Sequence, residues 1–359
     1  MSSEFERRRR LVGAGLQNRE LDAMLVTSAA SVRYLTGFTG SNGAVLIMPA
    51  GAIFFTDPRY AIQSRREVGC RTQVCRGPIL QAVPAVLRAR RIRRLGFESA
   101  HLSYASFDVL RANMPMNSAL EPVSGWIEAH RMLKSETEIE LIRRSVATNS
   151  KAFELAARRV RPGMREQDLA AEIDHQMRRL GAEKPSFETI VAAGERSALP
   201  HALPSGAVLK AGQMVLIDMG AIQDGYASDM TRMLFLGPPG ARVSRLYRAV
   251  WEAQLAAIDA VRPGVTAAQV DRRARDVLRA YKLERAFVHS TGHGLGLEIH
   301  EPPRIGRKDR TRLAAGMAIT IEPGVYLEGV GGIRIEDTVV VTPAGCEVLT
   351  PTSKELRIL

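Results

Sequence analysis

The sequence predicts a two-domain α/β (α+β) chain. Short apolar strands alternate with helical stretches over the first 125 residues. A helix–turn–helix segment ending in an acid-bearing apolar strand then occurs twice, 101 residues apart. The matched repeat suggests two similar α/β halves facing one another, each contributing acids to a shared centre. A chain of 359 residues accommodates two domains of about 150 residues each.

In the first part, Leu21 to Val26 reads as a strand. Ala44-Val45-Leu46-Ile47-Met48 and Ala52-Ile53-Phe54-Phe55 flank Pro49-Ala50-Gly51 as a hairpin. Helical stretches near 60–68 and 79–94 alternate with strands near 72–75 and 95–98. The boundary falls near 125–135 and is placed between 127 and 128, giving domains 1–127 and 128–359. Just beyond it, Ser135-Glu136-Thr137-Glu138 forms a capping box ahead of a long helix carrying Ile139, Leu141, Ile142 and Val146 at helical spacing.

In the second part, Val160-Arg161-Pro162-Gly163 ends one helix and precedes another. Val261-Arg262-Pro263-Gly264 does the same. Each copy leads to an apolar strand with one acid, Val215-Leu216-Ile217-Asp218 and Ile319-Thr320-Ile321-Glu322. Asp218 is followed by the turn Asp224-Gly225 and a returning strand with Asp229. Glu322 is followed by a glycine-rich connection and a returning strand in which Arg334, Glu336 and Thr338 share one face. A carboxylate buried in such a strand costs several kcal/mol unless a cation or strong donors compensate it. Four together raise one another's pKa values. Pairing with the abundant arginines could explain any one acid; two divalent metal ions explain all four. His293 in Gly292-His293-Gly294, His300 and His201 cluster in the same segments, and the small neighbours of His293 are expected to let the backbone approach a ligand. One imidazole among oxygen donors suits Mn²⁺, with Co²⁺ or Zn²⁺ as alternatives. Gly292-x-Gly294-x-Gly296 does not follow a βαβ strand, which argues against a dinucleotide site.

Bulk properties exclude other classes. The net charge is +12, of which +8 falls in residues 1–125, with 17 Arg, no Lys and nine acidic residues. Arg88, Arg90, Arg91, Arg93 and Arg94 form the densest cluster, but no aromatics interleave with them, so nucleic-acid binding is not expected. No apolar run reaches the roughly 18 residues of a membrane span. The stretch Leu11 to Leu16 after the N-terminal arginines is too short for an export signal, so the expected location is cytoplasmic. Cys70, Cys75 and Cys346 are expected as reduced thiols.

These segments together resemble the pita-bread metallopeptidases, the group of methionine aminopeptidase, aminopeptidase P and prolidase. The stretches that carry the resemblance are Phe187–Gly194, Pro200-His201, Ile217–Gly220, Ser228–Arg232, Gly292–Glu301, Ile321–Gly324 and Gly332–Asp337. In the first part, Ser31–Phe38, Gly40–Gly43 and Phe55–Tyr60 look like the N-terminal domain of the proline-directed members. Methionine aminopeptidases lack that domain, and creatinase has it but lacks the metal ligands. The resemblance implies a creatinase-like α/β domain followed by a pseudo-twofold catalytic domain with a curved, mainly antiparallel sheet. It also implies a site residue by residue. Asp218 and His293 bind one ion each, Asp229 and Glu336 bridge, and Glu322 binds the second ion and acts as general base. His201 and His300 hydrogen-bond the scissile carbonyl and the proline side, and Arg334 orients ligands or neutralises acid. The expected activity is that of an Xaa-Pro aminopeptidase acting on proline-containing peptides. The alternative is an Xaa-Pro dipeptidase (prolidase) acting only on dipeptides, and the choice depends on closure of the distal end of the cleft by an N-terminal domain in a homodimer. A non-catalytic binding protein on the same fold is the remaining alternative.

Overall fold

The computed structural model describes residues 3–359. It divides into two compact units, one extending to Arg131 and the other running from Met132 to Leu359.

The first unit is built on a six-stranded mixed sheet of β1 (Ala23–Val26), β2 (Gly43–Met48), β3 (Gly51–Thr56), β4 (Arg71–Val74), β5 (Arg94–Glu98) and β6 (Ala119–Val123), in the order β4-β3-β2-β1-β5-β6. β2–β3 is the expected hairpin, while β1, β5 and β6 run parallel. Helices α1 (Glu4–Gly15), α2 (Ala29–Thr36), α3 (Ala61–Glu67), α4 (Ile79–Arg90), α5 (Tyr104–Ala112) and α6 (Trp126–Arg131) complete it. The strand expected from Leu21 starts at Ala23. The helix expected through residue 94 stops at Arg90, because Arg91 turns left-handed (φ 55°) and Arg94 already belongs to β5. Part of the basic excess is structural. Arg8 and Arg9 of α1 are buried and donate to the carbonyls of Tyr34 and Leu35, satisfying the orphan acceptors at the C-terminal end of α2.

The second unit shows the repeat as two matched layers. α7 (Glu136–Ala157) opens with the reciprocal Ser135–Glu138 capping box and packs with α8 (Glu166–Arg179). They cover a sheet formed by β8 (Ile190–Ala193), β9 (Met214–Met219) and β12 (Met230–Phe235). The chain from β9 to β12 makes a short excursion through β10 (Ala221–Gln223) and β11 (Tyr226–Ala227), in which β10 pairs with both β11 and β7 (Lys184–Pro185). In the second half, α9 (Ala241–Asp259) and α10 (Ala267–Ala280) cover β13 (Gly292–Gly294), β15 (Ala318–Ile321) and β18 (Asp337–Val341). β14 (Glu301–Ile305) and β19 (Cys346–Val348) lie at the edges, and an excursion runs through β16 (Gly324–Leu327) and β17 (Gly331–Arg334). The orders β8-β9-β12 and β13-β15-β18 correspond, and both triplets are antiparallel. Pairing is antiparallel throughout this unit except where β20 (Arg357–Ile358) lies parallel to β12.

The two Pro-Gly turns make matching hydrogen bonds. Gly163 and Gly264 (φ 92° and 86°) donate to the carbonyls of Leu209 and Leu313, at 2.9 and 2.8 Å. Positive φ at both positions requires glycine.

A buried network joins the halves behind the acids. Arg232 of β12 pairs with Asp337 of β18 at 2.6 Å and donates to the backbone carbonyls of Thr231, Glu336, Ser353 and Thr352. Burial pushes the Asp337 carboxyl up, but Arg232 and Lys354 outweigh it and hold it below the ordinary carboxylate range. Replacing Arg232 by Met removes the strongest link between β12 and β18. Thermal or urea unfolding of that variant is expected to show a loss of about 3 kcal/mol or more, and an unchanged midpoint would contradict the network's role.

Candidate metal centre

The four acids occupy equivalent places in the two halves. Asp218 lies near the end of β9 and Asp229 immediately precedes β12. Glu322 follows β15 and Glu336 immediately precedes β18. The sequence suggested that Asp229 and Glu336 sit within continuous strands. Instead Ser228-Asp229, Glu322-Pro323 and Ile335-Glu336 are two-residue breaks at which the chain leaves one ladder and joins another. A break frees the side chain from strict alternation, so each half can turn two carboxylates toward the same point.

His293 lies at the middle of β13, and its Nε2 is 3.5 Å from both Asp229 Oδ2 and Glu322 Oε1. Donor atoms of Asp229, His293 and Glu336 lie within 4.8 Å of one another. The His293 tautomer is set by its neighbour: Nδ1 donates to the Gly294 carbonyl at 3.0 Å, leaving the Nε2 lone pair toward the acids. Threonines orient the carboxylates. Thr231 Oγ1 donates to Glu336 Oε2 at 2.8 Å and Thr320 Oγ1 to Glu322 Oε1 at 3.4 Å, while Thr338 holds the backbone carbonyl of Asp229.

The glycines beside His293 serve packing rather than a ligand. A Cβ at Gly292 would strike the Thr320 carbonyl, and one at Gly294 the Pro302 carbonyl. They let three strand backbones approach closely, so the close approach these glycines provide here is to neighbouring backbone.

Electrostatically the arrangement is unbalanced. Asp218, Asp229 and Glu336 are buried, yet among the described residues Arg334 is the only lysine or arginine paired with any of the four acids. Its Nη2 donates to Asp218 Oδ2 at 2.5 Å, and its other nitrogens reach Thr231, Tyr326 and the Pro200 carbonyl. Burial raises the Asp229 carboxyl well above its ordinary range, and Asp218 and Glu322 raise it further. Burial raises Glu336 in the same way, followed by Asp229, and burial also raises Glu322. Asp218 Oδ1, Asp229 Oδ1 and Glu336 Oε1 are sealed from water without a hydrogen-bond partner. Buried carboxylate oxygens normally find donors. Orphaned oxygens on three carboxylates, two of which converge with the His293 ring on one point, fit divalent cations, and this donor set of carboxylates and one imidazole can hold them.

Asp218, Asp229 and Glu322 face a cavity of about 830 Å³ lined also by His201, His300 and Arg304. His201 lies in an exposed turn after β8, and His300 in the loop between β13 and β14, with its ring 4.4 Å from that of His293. Burial, with His293 beside it, pushes the His300 imidazole below its ordinary pKa. Sequence reasoning missed His289 and Tyr326. His289 Nδ1 donates to the Ser290 carbonyl and Nε2 accepts from Tyr326 Oη at 2.9 Å. Burial lowers His289 to about 4 and raises Tyr326 to about 12, so both are neutral at physiological pH. Neither carries a sequence signal, since a lone histidine and a strand tyrosine read as ordinary core residues.

Raised carboxyl pKa values mean that the folded, metal-stripped chain holds protons more tightly than the unfolded chain. The associated stability is present below the ordinary carboxylate range of about 4 and is lost as pH rises from there through the raised values. Metal-stripped wild type is therefore expected to fall behind a metal-stripped Glu336→Gln variant in melting temperature as pH rises from about 5 to 8. A gap that does not change with pH contradicts this.

The description "Metallopeptidase family M24" matches residues 140–343, and "Creatinase/Prolidase N-terminal domain" matches residues 7–133. An Xaa-Pro dipeptidase of Pyrococcus furiosus is 35% identical over 341 residues, covering 95% of this chain and 97% of the relative. A structure of an Xaa-Pro dipeptidase from Bacillus anthracis superposes with a TM-score of 0.95 at 38% identity, covering 99% of each chain. A structure of an X-Pro aminopeptidase from Thermotoga maritima gives 0.90 at 34% identity, covering 98% of this chain and all of the other. No described helix is long and apolar enough to cross a membrane. The chain belongs to metallopeptidase family M24, in its proline-directed branch, with a creatinase/prolidase N-terminal domain preceding a pita-bread catalytic domain.

Proposed function

We propose that the protein is an Xaa-Pro dipeptidase that holds two divalent metal ions, manganese by preference with cobalt or zinc as substitutes. The aminopeptidase preference drawn from the sequence gives way to the dipeptidase alternative, because the similar proteins from P. furiosus and B. anthracis are named dipeptidases. The observation that carries the metal assignment is the convergence of donor atoms of Asp229, His293 and Glu336, together with sealed, unpartnered oxygens on Asp218, Asp229 and Glu336. In this reading Asp218 and His293 would each serve one ion, Asp229 and Glu336 would be shared by both, and Glu322 would complete the second. Two such ions, when bound, supply Lewis acidity and activate water at neutral pH.

The chain's own residues supply the rest. Glu322, whose carboxyl is raised by burial, takes up a proton from the attacking water and returns it to the prolyl nitrogen. With that proton the nitrogen departs as the secondary amine of proline, as the C–N bond breaks. His201 and His300 line the cavity and donate hydrogen bonds to the scissile carbonyl and the prolyl side, stabilising negative charge as it develops. Arg334 touches Asp218 and is engaged on every side, so its role is to hold Asp218 and offset one negative charge rather than to meet substrate. Arg304 is the exposed cation on the cavity wall, where it can receive the free carboxylate of a dipeptide.

A second reading, Xaa-Pro aminopeptidase, is favoured by the similarity to the T. maritima protein. Incubation with Ala-Pro and Ala-Pro-Xaa tripeptides distinguishes the two. Cleavage of Ala-Pro with little or no tripeptide turnover is expected, and efficient tripeptide cleavage refutes the dipeptidase reading. Asp229→Ala should lower kcat at least 10³-fold while leaving circular dichroism unchanged; retained activity would remove it from the centre. Arg304→Ala should raise KM for Ala-Pro about tenfold or more with a smaller effect on kcat, and an unchanged KM argues against its carboxylate role.

A further inference from the structure

The first unit contains another group of metal-ligating side chains, which the catalytic centre does not use. Glu98 is the last residue of β5 and only 3% exposed. Its Oε2 accepts hydrogen bonds from the backbone of Thr27 and Ser28, at 2.7 and 2.8 Å, which fixes the side chain beyond the end of β1. Its Oε1 is sealed from water and makes no hydrogen bond of ordinary geometry; the Ser31 hydroxyl and His101 are the side chains that act on the carboxyl, and no lysine or arginine does among the described residues. The turn after β5, closed by the amides of His101 and Leu102 on the Glu98 carbonyl, brings His101 back three residues later. His101 Nε2 lies 2.7 Å from Glu128 Oε1 of α6. One donor atom from each of Glu98, His101 and Glu128 lies within 4.8 Å of the other two. The group sits past the carboxyl ends of the parallel strands β1, β5 and β6, the edge at which open α/β sheets bind ligands.

We propose that Glu98, His101 and Glu128 bind a single zinc ion, with water in the fourth position, tying α6 to the sheet. Two carboxylates and an imidazole suit zinc. Metal–donor distances near 2.0–2.2 Å place tetrahedral neighbours about 3.3 Å apart. The observed spacing accommodates that once His101 and Glu128 separate slightly. Both can move, their side chains being 29% and 14% exposed. Glu98 cannot, and its buried Oε1, which makes no hydrogen bond of ordinary geometry, is the feature that a simple His101–Glu128 hydrogen bond leaves unexplained. The site is distinct from the catalytic centre, and its test does not depend on how that centre is read.

The test is zinc stoichiometry of the full chain, stripped with chelator, dialysed against a small excess of Zn²⁺ and analysed by elemental emission. Glu128→Gln and His101→Asn, both conservative, are each expected to bind one ion fewer per chain than wild type. Manganese-supported Ala-Pro hydrolysis should stay within about twofold. Equal zinc content in the wild type and both variants, with all three folded by circular dichroism, overturns the proposal.

Discussion

Four carboxylates share a small, mostly water-free volume of the second unit with a single guanidinium, and the rest of that unit is arranged around this imbalance. Arg334 neutralises Asp218, while burial and mutual repulsion lift Asp229 and Glu336 away from the charge state a carboxylate has in water. The desolvation of each buried charge is worth several kcal/mol. The fold therefore holds these groups at a cost unless cations enter, and three of their oxygens are left without a hydrogen-bond partner.

The twofold repeat explains how the crowding is assembled. Each half offers the same three-stranded unit, and each breaks its ladder at the point where an acid must turn inward. Arg232, bonded to Asp337 and to the Glu336 carbonyl, fastens the halves directly behind the site. Thr231, Thr320 and Thr338 then aim the carboxylates or their backbone. Close approach of β13, β14 and β15 depends on glycine at 292 and 294, where any side chain would meet a carbonyl.

Much of this was legible in the sequence. The Pro-Gly turns 101 residues apart marked the two halves, and acids inside apolar strands marked the centre, since both patterns follow from period and burial. The Ser135–Glu138 cap was equally plain, because the reciprocal bonds are local. Other features depend on tertiary position and left no pattern. Ladder breaks at Ser228-Asp229 and Ile335-Glu336 look like continuous strand, because hydrophobic alternation does not record a change of partner. His289 and Tyr326 meet only after β16 packs, and the buried arginines Arg8 and Arg9 read as surface charge until α2 presents its carbonyls to them. Glycines flanking His293 suggested close backbone approach to a ligand, and the approach the structure shows is to neighbouring backbone. Specificity was the least legible property, because dipeptidase and aminopeptidase share these motifs.

The most direct test of the central electrostatic claim is anomalous scattering from a crystal of the manganese-loaded protein, recorded at the manganese edge. The account predicts two peaks enclosed by Asp218, Asp229, His293, Glu322 and Glu336, about 3.5–4 Å apart. A fully loaded crystal with no peak among those side chains would contradict it.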